Sequence, residues 1–538
     1  RYKIMYKQKL PKKTSSLCPI CAKKIPARVF EKDGKVWIEK ECKEHGKFEE
    51  IYFEDFEMYE RFRKFGYNGR GVSNPNTKST GNCPFDCGLC RNHKSHTCLA
   101  NIAVTNVCDL RCFYCFFYAR EGGNVYEPSL EQIKEMLEVG RNERPVPPNA
   151  IQLTGGEPCL RDDLVEIIKL CKKMGYEHVQ LNTNGIKLAF DRKLVRKIKE
   201  AGVNTLYLSF DGVSKRTNPK NHWEVPYVFE NCRKVNLNSI VLVPTVIKGI
   251  NDHEIGAIVN FALNNLDIVR GVNFQPVSLV GRMPRDEREK QRITIPGVIK
   301  NLEEQTNGII AREDFYPVPT VGPITRFVEA LTKKPRYSLS CHFACGAATY
   351  IFLDGDKVVP ITRFVDVEGF LEYLDEKAEE LEKGKNKYLV ALKVLFNLRK
   401  FIDKKKEPKN LNFYKLLFNA LVKHNYRALG EIHHKSLFIG MMHFQDLYNY
   451  DVERVERCVI HYLMPDNRIV PFCTFNVLPE FYRDKVQEKF SMPAKEWEKK
   501  KGKKLNELVY KRDVKKLESG RIYKRTYNNL KNFFRAGL

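Results

Sequence analysis

Between residues 101 and 280 the chain alternates short apolar runs with longer amphipathic segments. The runs are rich in Val, Ile and Leu, as expected for strands buried on both faces of a sheet. Six strands are predicted: Ile102–Asn106, Ala150–Gly155, Val179–Gly185, Leu206–Gly212, Ile240–Ile247 and Val272–Ser278. Segments with helical periodicity lie between them, near 129–140, 161–174, 191–201, 226–235 and 251–265. Alternating strand–helix units of this kind predict an α/β fold with a parallel sheet.

Three cysteines, Cys108, Cys112 and Cys115, directly follow the first predicted strand. With this spacing three thiolates can bind three irons of a [4Fe–4S] cluster and leave the fourth iron open. An open iron can chelate the amino and carboxylate groups of S-adenosylmethionine, which then carries radical chemistry. The alternative is a structural zinc site, which usually has four protein ligands. Tyr114 and the later Gly155–Glu157 segment favour the cluster.

At these residues the sequence resembles the radical SAM superfamily. The resemblance implies a partial (β/α)6 barrel, with Cys108, Cys112 and Cys115 as the catalytic cluster ligands. Related barrels bind their ligands at the carboxyl ends of the strands. The cofactor-binding residues implied in this way are Tyr114, Gly155, Gly156, Glu157, Asn182, Ser209, Asp211 and Val246. Glu157 is expected to accept hydrogen bonds from the cofactor's ammonium, and Ser209 and Asp211 are candidates for binding its ribose. The polar residues among them could instead be ordinary turn or capping residues.

Residues 1–70 carry two short metal-binding knuckles on either side of a predicted hairpin. Their candidate ligands are Cys18, Cys21, Cys42 and His45. Asp33 and Gly34 lie at the predicted turn of the hairpin. Three thiolates and one imidazole are a common zinc set, whereas a rubredoxin-like iron would serve electron transfer. The spacing predicts one mononuclear metal, iron or zinc, and leaves its identity open.

Residues 71–100 contain four cysteines within a short span: Cys83, Cys87, Cys90 and Cys98. The first three repeat the spacing of the radical motif, but no strand is predicted before Cys83. Cys98 can ligate the fourth iron, so we predict an auxiliary [4Fe–4S] cluster without an open iron. His93 or His96 could replace Cys98, and a zinc knuckle is the alternative for the whole segment.

After Arg282 the strand–helix pattern changes. Four more cysteines are spread over this region: Cys341, Cys345, Cys458 and Cys473. They resemble the SPASM/twitch type of C-terminal cluster extension, although the usual cysteine spacing is not kept, and we predict a third [4Fe–4S] cluster here. Between them, segments 388–406 and 410–427 mix leucine and phenylalanine with cations. Such helices can lie on an anionic membrane or can simply pack against the barrel.

The predicted domain organisation follows from these groups. It comprises a one-metal module at 1–70, an auxiliary-cluster segment at 71–100, a radical SAM core at 101–335, and a C-terminal auxiliary-cluster domain with a helical insertion and basic tail at 336–538.

Composition narrows the class of protein further. The chain has 538 residues, of which 43% are hydrophobic, so it is expected to fold. Seventeen cysteines without a visible secretory signal indicate metal sites rather than disulfides. Three of them, Cys159, Cys171 and Cys232, stand alone. No uncharged apolar stretch is long enough to cross a membrane, so we expect a cytoplasmic protein or one attached to a membrane surface.

The formal net charge of +26 indicates an anionic partner, either nucleic acid or a phospholipid surface. Residues 495–538 contain 15 Lys and Arg against 5 Asp and Glu, so this tail contributes +10. The alternative is a solvated surface rich in lysine and glutamate, as thermophilic proteins often have.

Taken over nearly the full chain, four metal-ligand groups and an apolar, basic insertion resemble the archaeal radical SAM tetraether lipid synthases, which make GDGT and macrocyclic archaeol. The resemblance implies carbon–carbon bond formation between terminal methyl carbons of isoprenoid chains on archaeol-type phospholipids. It implies three [4Fe–4S] clusters, S-adenosylmethionine and one mononuclear iron or zinc. The implied partners are a phospholipid substrate, an anionic membrane surface and a flavodoxin- or ferredoxin-type electron donor, with no DNA.

Three alternatives remain open from the sequence. A radical SAM methylase of a pterin precursor would need no long apolar cavity. An RNA-modifying radical SAM enzyme would use the positive charge on phosphates. An iron–sulfur electron carrier would leave the Gly155–Glu157 segment without a purpose.

Overall fold

The computed structural model describes residue 6, residues 8–115, residue 117, residues 123–421 and residues 436–535. The strands are β1 (Lys12–Leu17), β2 (Lys24–Lys32), β3 (Lys35–Cys42), β4 (Gly46–Phe53), β5 (Leu99–Thr105), β6 (Asn124–Tyr126), β7 (Ala150–Gly155), β8 (His178–Thr183), β9 (Thr205–Ser209), β10 (Ile240–Val243), β11 (Thr245–Val246), β12 (Val269–Pro276), β13 (Tyr316–Pro317), β14 (Gly346–Asp354), β15 (Lys357–Pro360), β16 (Ser436–Met442), β17 (Ile460–Leu463), β18 (Ile469–Pro471) and β19 (Ser491–Pro493).

The helices that precede residue 436 are α1 (Phe56–Arg63), α2 (Leu130–Arg141), α3 (Leu164–Lys173), α4 (Ile186–Phe190), α5 (Arg192–Ala201), α6 (Val225–Val235), α7 (Ile255–Leu263), α8 (Arg288–Gln291), α9 (Ile295–Gln305), α10 (Gly322–Thr332), α11 (Val367–Glu382), α12 (Lys387–Asn397) and α13 (Phe413–Leu421). The helices that follow are α14 (Val452–Glu456), α15 (Phe472–Val477), α16 (Arg483–Phe490), α17 (Ala494–Lys501), α18 (Val514–Ser519) and α19 (Arg521–Asn528).

The predicted α/β barrel is confirmed. All six predicted core strands are present and lie side by side in the order β5-β7-β8-β9-β10-β12, each parallel to its neighbour. A helix crosses back between successive strands, as parallel connections require. Apolar residues at helical spacing face the sheet, and on α3 these include Ile167, Ile168 and Cys171. The isolated Cys171 is therefore a core residue, as its spacing predicts.

The C-terminal region extends this sheet at both edges, which the sequence pattern did not predict. Strand β16 adds in parallel to β12, and β17 adds in parallel to β5. Strands β14 and β18 then pair antiparallel with β16 and β17. The reason for the omission is physical: these strands are short and lie more than 150 residues from the barrel strands they join, so no local periodicity signals the pairing.

The N-terminal segment forms a separate antiparallel sheet of four strands in the order β1-β2-β3-β4. Asp33 and Gly34 make the two-residue turn between β2 and β3 with φ of 53° and 72°. Two positive φ values are what a tight hairpin turn needs, so the predicted hairpin is present.

The helical insertion packs largely on itself and on α10. Val390 and Val394 of α12 are buried in a cluster with α10 and α11, while Leu389 and Phe396 on its other side are exposed. The predicted segment 410–427 begins with α13, and residues 422–435 lie outside the described residues. Within the described ranges, no helix combines the length and apolarity needed to cross a bilayer.

Candidate active site

A cavity of about 170 Å³, partly open to solvent, lies at the carboxyl ends of the barrel strands. Its wall includes most of the residues predicted to bind the radical cluster or S-adenosylmethionine: Cys108, Cys112, Tyr114, Cys115, Gly155, Gly156, Glu157, Asn182 and Ser209. The structure therefore brings these residues together around one space.

Backbone hydrogen bonds hold the cysteine loop against the end of β7. The N–H of Gly156 donates to the Thr105 carbonyl at 2.7 Å, and the N–H of Glu157 donates to the Val107 carbonyl at 2.8 Å. The Cys108 and Cys112 thiols are half-buried, and burial raises the pKa of both. Free thiols would stay protonated here, whereas bound iron would stabilise the thiolates.

The Glu157 carboxylate is buried and oriented by three protein donors. Its oxygens accept from the Cys159 N–H at 3.0 Å, the Thr183 hydroxyl at 2.7 Å and the Asn184 N–H at 2.8 Å. Burial raises the pKa of Glu157 to about 7, and the nearby Asp109 acts in the same direction. The carboxylate lies in the cavity wall, where a cation from a ligand would favour its charged form.

Asp211 and Val246 do not line the cavity. The Tyr114 hydroxyl and the Thr245 N–H both donate to Asp211, so this carboxylate orients cavity residues instead of facing the space. Val246 is buried in the hydrophobic core, because alternate residues of a strand point to opposite faces and its neighbour Thr245 faces the cavity. Direct contact of these two side chains with a cofactor is therefore not supported by the geometry.

Lys220 is a cavity residue that the sequence reasoning missed. Its ammonium lies 3.8 Å from an Asp211 oxygen and 5.0 Å from the centre of the Tyr114 ring. Lys220 belongs to an irregular segment after β9, where no periodicity or spacing marks it, so the sequence carried no signal for it. It places a positive charge in the cavity wall close to Cys112, whose pKa it lowers against the larger effect of burial.

A row of amide side chains covers part of the cavity wall deeper in the barrel. Gln152 Nε2 donates to the side-chain oxygen Oδ1 of Asn101 at 2.9 Å, and Gln180 donates to the side-chain oxygen of Gln152. The Asn101 Nδ2 is buried and has no hydrogen-bond partner among the described atoms. The signal in the sequence was the polar residue at alternate positions of otherwise apolar strands, such as Gln152 and Thr154 in β7.

The N-terminal candidate ligands converge on one point. One ligand atom from each of Cys18, Cys21, Cys42 and His45 lies within 4.8 Å of all the others. The Cys21 and Cys42 sulfurs are 4.0 Å apart, and His45 Nδ1 is 3.5 Å from the Cys42 sulfur. Hydrogen bonds from the backbone N–H of Glu44 and from His45 lower the pKa of Cys42 to about 6. This donor set fits a single tetrahedral ion.

The two histidines considered as alternatives to Cys98 have other partners. His93 Nε2 lies 2.8 Å from the Cys458 carbonyl oxygen, and His96 Nε2 accepts from the Ser338 N–H at 2.9 Å. His96 Nδ1 is 3.3 Å from the Thr97 carbonyl oxygen. Both rings are thus engaged with backbone, which leaves Cys98 as the stronger ligand candidate.

The isolated Cys159 and Cys232 are buried.

Comparison with known proteins identifies the class. Residues 102–262 match the model of the radical SAM superfamily, and residues 10–54 match the HMPTM N-terminal zinc ribbon domain. The chain is therefore a radical SAM enzyme, as the cysteine motif predicts, and a [4Fe–4S] cluster with S-adenosylmethionine is the cofactor of this class.

Relatives identify the family. The chain is 51% identical over 497 residues to the 7,8-dihydro-6-hydroxymethylpterin dimethyltransferase of Methanocaldococcus jannaschii, covering 91% of this chain and 97% of that protein. The chain belongs to the family of that dimethyltransferase. A probable GTP 3′,8-cyclase of Saccharolobus islandicus is 40% identical over 116 residues, 22% of this chain and 35% of that one. Methylornithine synthase aligns structurally with a TM-score of 0.29 and 17% identity over 40% of this chain and 64% of that one.

Family membership corrects the expected function. The predicted tetraether lipid synthase, its phospholipid substrate and its membrane partner are wrong, because the relative that matches nearly the whole chain is a pterin dimethyltransferase.

Part of the basic tail pairs with carboxylates of other segments. Arg512 pairs with Glu224, Arg525 with Glu230 and Lys531 with Asp356. Carboxylates outside the tail therefore neutralise part of its +10 charge.

Proposed function

We propose that this protein is a radical SAM methyltransferase acting on a pterin, of the kind that its relative from M. jannaschii acts on. The observation that carries the proposal is the 51% identity over 91% of the chain. A shared radical SAM core alone would explain similarity over residues 102–262. The alignment with this relative extends far beyond those residues.

The amide side chains in the cavity wall support a heteroaromatic substrate over an isoprenoid chain. A pterin presents hydrogen-bond donors and acceptors along one edge, and amide side chains offer both kinds of group. Asn101 Nδ2 is a buried donor without a partner in the described structure, and Gln152 continues the row from it. An isoprenoid chain in this place would leave such groups unsatisfied, at a cost of about 1–3 kcal/mol each. We propose that the pterin edge binds to Asn101, Gln152 and Gln180.

The cofactor sites follow from the cavity wall. Cys108, Cys112 and Cys115 would bind the cluster, with S-adenosylmethionine lying between the Gly155–Glu157 segment and Ser209. The bound cofactor supplies the homolytic chemistry that an unactivated carbon requires. Lys220 would hold a carboxylate or another anionic group near the open iron. A flavodoxin- or ferredoxin-type donor would deliver the electron, and zinc is our proposal for the N-terminal ion, given the zinc ribbon match.

The test is an anaerobic assay with reconstituted protein, reductant, S-adenosylmethionine and 7,8-dihydro-6-hydroxymethylpterin, run with and without a reduced one-carbon carrier. Mass spectrometry should find the pterin carrying one and then two additional methyl groups. The variant Cys112→Ala should form neither methylated pterin nor 5′-deoxyadenosine. Cleavage of S-adenosylmethionine with the pterin unchanged under both conditions would overturn the substrate while leaving the cofactor assignment intact.

A substitution in the row of amide side chains tests the proposed pterin-binding site more directly. Gln152→Leu keeps the side-chain size but removes the donor and acceptor, so pterin methylation should fall about 10- to 100-fold, as for the loss of one or two buried hydrogen bonds. Uncoupled cleavage of S-adenosylmethionine should persist, because Gln152 lies away from the cysteine loop. Methylation at the wild-type rate would exclude the row as the binding site for the pterin.

A further inference from the structure

Eight cysteines remain after the radical motif, the N-terminal site and the three isolated residues are set aside: Cys83, Cys87, Cys90, Cys98, Cys341, Cys345, Cys458 and Cys473. Eight thiolates suit two [4Fe–4S] clusters with four protein ligands each. Sequence order groups the first four and the last four. The three-dimensional arrangement groups them differently, and this difference does not depend on the identity of the substrate.

Cys98 lies beside Cys458. Strands β5 and β17 are parallel neighbours that begin in register, Leu99 opposite Ile460. The N–H of Cys98, one residue before β5, donates to the Val459 carbonyl at 2.8 Å. Cys98 and Cys458 therefore stand just before the amino ends of two adjacent strands.

Cys98 also lies beside the segment that leads to Cys341. The Cys98 sulfur is 3.5 Å from the Ser338 carbonyl oxygen. Two further bonds fix that segment on the chain before Cys98: Ser95 and Ser340 hydroxyls lie 2.8 Å apart, and the Ser338 N–H donates to His96. Burial raises the pKa of Cys341, and the Cys345, Cys98 and Cys458 thiolates act in the same direction.

The chain at Cys473 packs against one of the earlier cysteines. The hydroxyl of the next residue, Thr474, is 3.6 Å from the Cys87 sulfur and 3.4 Å from the Tyr450 hydroxyl. Burial raises the pKa of Tyr450, and Cys87, Cys83 and Cys473 act in the same direction. The Thr474 hydroxyl thus joins the segment that carries Cys473 to Cys87.

We propose that Cys98 belongs with the later group of cysteines and Cys473 with the earlier group, unlike the grouping by sequence order. One auxiliary [4Fe–4S] cluster would be held by Cys83, Cys87, Cys90 and Cys473, and the other by Cys98, Cys341, Cys345 and Cys458. Each set then supplies four thiolates, so neither cluster has an open iron. Both sets join distant parts of the chain.

The two clusters would adjoin each other. Arg454 Nε donates to the Cys345 sulfur at 3.2 Å, and the N–H of Gln445 donates to the Cys473 sulfur at 3.4 Å. The charge of Arg454 also lies close enough to Cys473 to lower its pKa, against the larger effect of burial. Because hydrogen bonds to cluster sulfurs and nearby charge help set reduction potentials, Arg454 would influence both clusters.

The test counts clusters in full-length chains in which Cys108, Cys112 and Cys115 are alanine, so that only the auxiliary clusters remain, about eight irons in total. In this background the pair Cys98→Ala with Cys341→Ala should remove one cluster, about half of this iron, and leave the electron paramagnetic resonance signal of the other unchanged. The pair Cys83→Ala with Cys473→Ala should remove the other cluster and leave the first.

The matched pair Cys83→Ala with Cys98→Ala takes one ligand from each proposed cluster and should alter both signals. If this pair instead removes one signal cleanly, while Cys98→Ala with Cys341→Ala alters both, the sequence-order grouping holds and the proposal is overturned. Retention of the N-terminal metal and an unchanged circular dichroism spectrum establish that each variant has folded. The corresponding serine pairs should give the same pattern, and would be used where an alanine pair fails to fold.

Discussion

Gly155 and Gly156 show how a single residue type can be required for a reason other than ligand approach. A Cβ on Gly156 would lie 2.2 Å from the Val107 carbonyl oxygen, and one on Gly155 would lie 2.1 Å from that of Thr105. These distances are far inside van der Waals contact. The glycines therefore let the end of β7 meet the cysteine loop, whereas the sequence analysis placed them only among the cofactor-binding residues.

Gly156→Ala should displace the loop that begins at Val107, because all three atoms nearest to the new Cβ are backbone atoms. We expect the variant to lose about four irons, as for one cluster, together with cleavage of S-adenosylmethionine. Gly384→Ala is the control: φ there is +87°, so alanine is strained by about 1–2 kcal/mol, but no atom lies within 4 Å of the new Cβ. Full iron content in Gly156→Ala would show that the loop can yield.

Glu143 is a buried carboxyl with one oxygen satisfied. Oε1 accepts from the Thr97 N–H at 2.7 Å, whereas Oε2 has no partner among the described atoms. Burial raises the pKa of Glu143 from 4.5 to about 7. Since the folded-state pKa exceeds the unfolded one, the folded state binds more protons between these values. Stability should therefore fall as pH rises from about 4.5 to about 7.

Glu143→Gln should remove that pH dependence, because an amide keeps the acceptor for Thr97 without a buried charge. We expect the apparent Tm to rise relative to the parent at pH 8, corresponding to about 3 kcal/mol at most, and to change little at pH 4.5. Thermal melts at both pH values measure this. Glu138→Gln, at an exposed position of the preceding helix α2, should change neither, and an equal gain at both pH values would refute the titration of Glu143.

At the scale of elements, the barrel was readable from sequence because its strands and helices are local and periodic. The six predicted strands and the cysteine loop at the end of the first have their counterparts in the structure. Strands β16 and β17 were not predicted, since their pairing with the barrel is decided by tertiary contact alone. Lys220 and the facing of Asp211 likewise depend on loop geometry that no sequence period encodes.

Contacts between the C-terminal tail and the barrel support the cavity wall. Arg512 Nε lies 2.6 Å from Glu224, whose side chain is fully buried, and its guanidinium also donates to the carbonyl oxygens of Pro219 and Lys220. The tail thereby holds the backbone that carries the cavity residue Lys220. The N–H of Tyr510, two residues earlier, donates to the Asp109 carbonyl in the cysteine loop at 3.0 Å.

Arg512→Ala should leave the Glu224 carboxylate buried without its cation, which costs about 3 kcal/mol. The proposed pterin methylation, measured well below the Tm, should also fall, and by more than the loss of stability explains, because Lys220 loses its backbone support. Arg525→Ala breaks a comparable but exposed pair with Glu230 and should cost less than about 1 kcal/mol. Equal effects of the two substitutions on Tm and on activity would contradict a positioning role for Arg512.

At the scale of the whole molecule, the N-terminal sheet is attached to the C-terminal region through buried charges. Lys12 of β1 lies 3.1 Å from Asp451 and 2.7 Å from Glu453, and both Lys12 and Asp451 are buried. Thr14 and Tyr52 donate to the same aspartate at 2.6 and 2.8 Å. His342, Asp451 and Glu453 lie close enough together to be potential metal ligands. The Lys12 ammonium, however, already supplies a cation between the two carboxylates.

Lys12→Ala should therefore loosen the N-terminal sheet from the rest of the molecule. Removing one partner of a buried pair costs about 3–5 kcal/mol, because Asp451 keeps an uncompensated charge. Burial is the largest single effect and lowers the pKa of Lys12, but Asp451 together with Tyr52, Tyr59 and Tyr6 raises that pKa well above its ordinary value, so the ion pair persists at neutral pH. Hydrogen exchange should accelerate in β1 and around residues 451–456 together, while the barrel strands β7 and β8 stay protected. Lys23→Ala, which breaks an exposed pair with Glu44 in the same sheet, should leave exchange unchanged. Unaltered exchange in Lys12→Ala would mean that apolar contacts alone hold the two parts together.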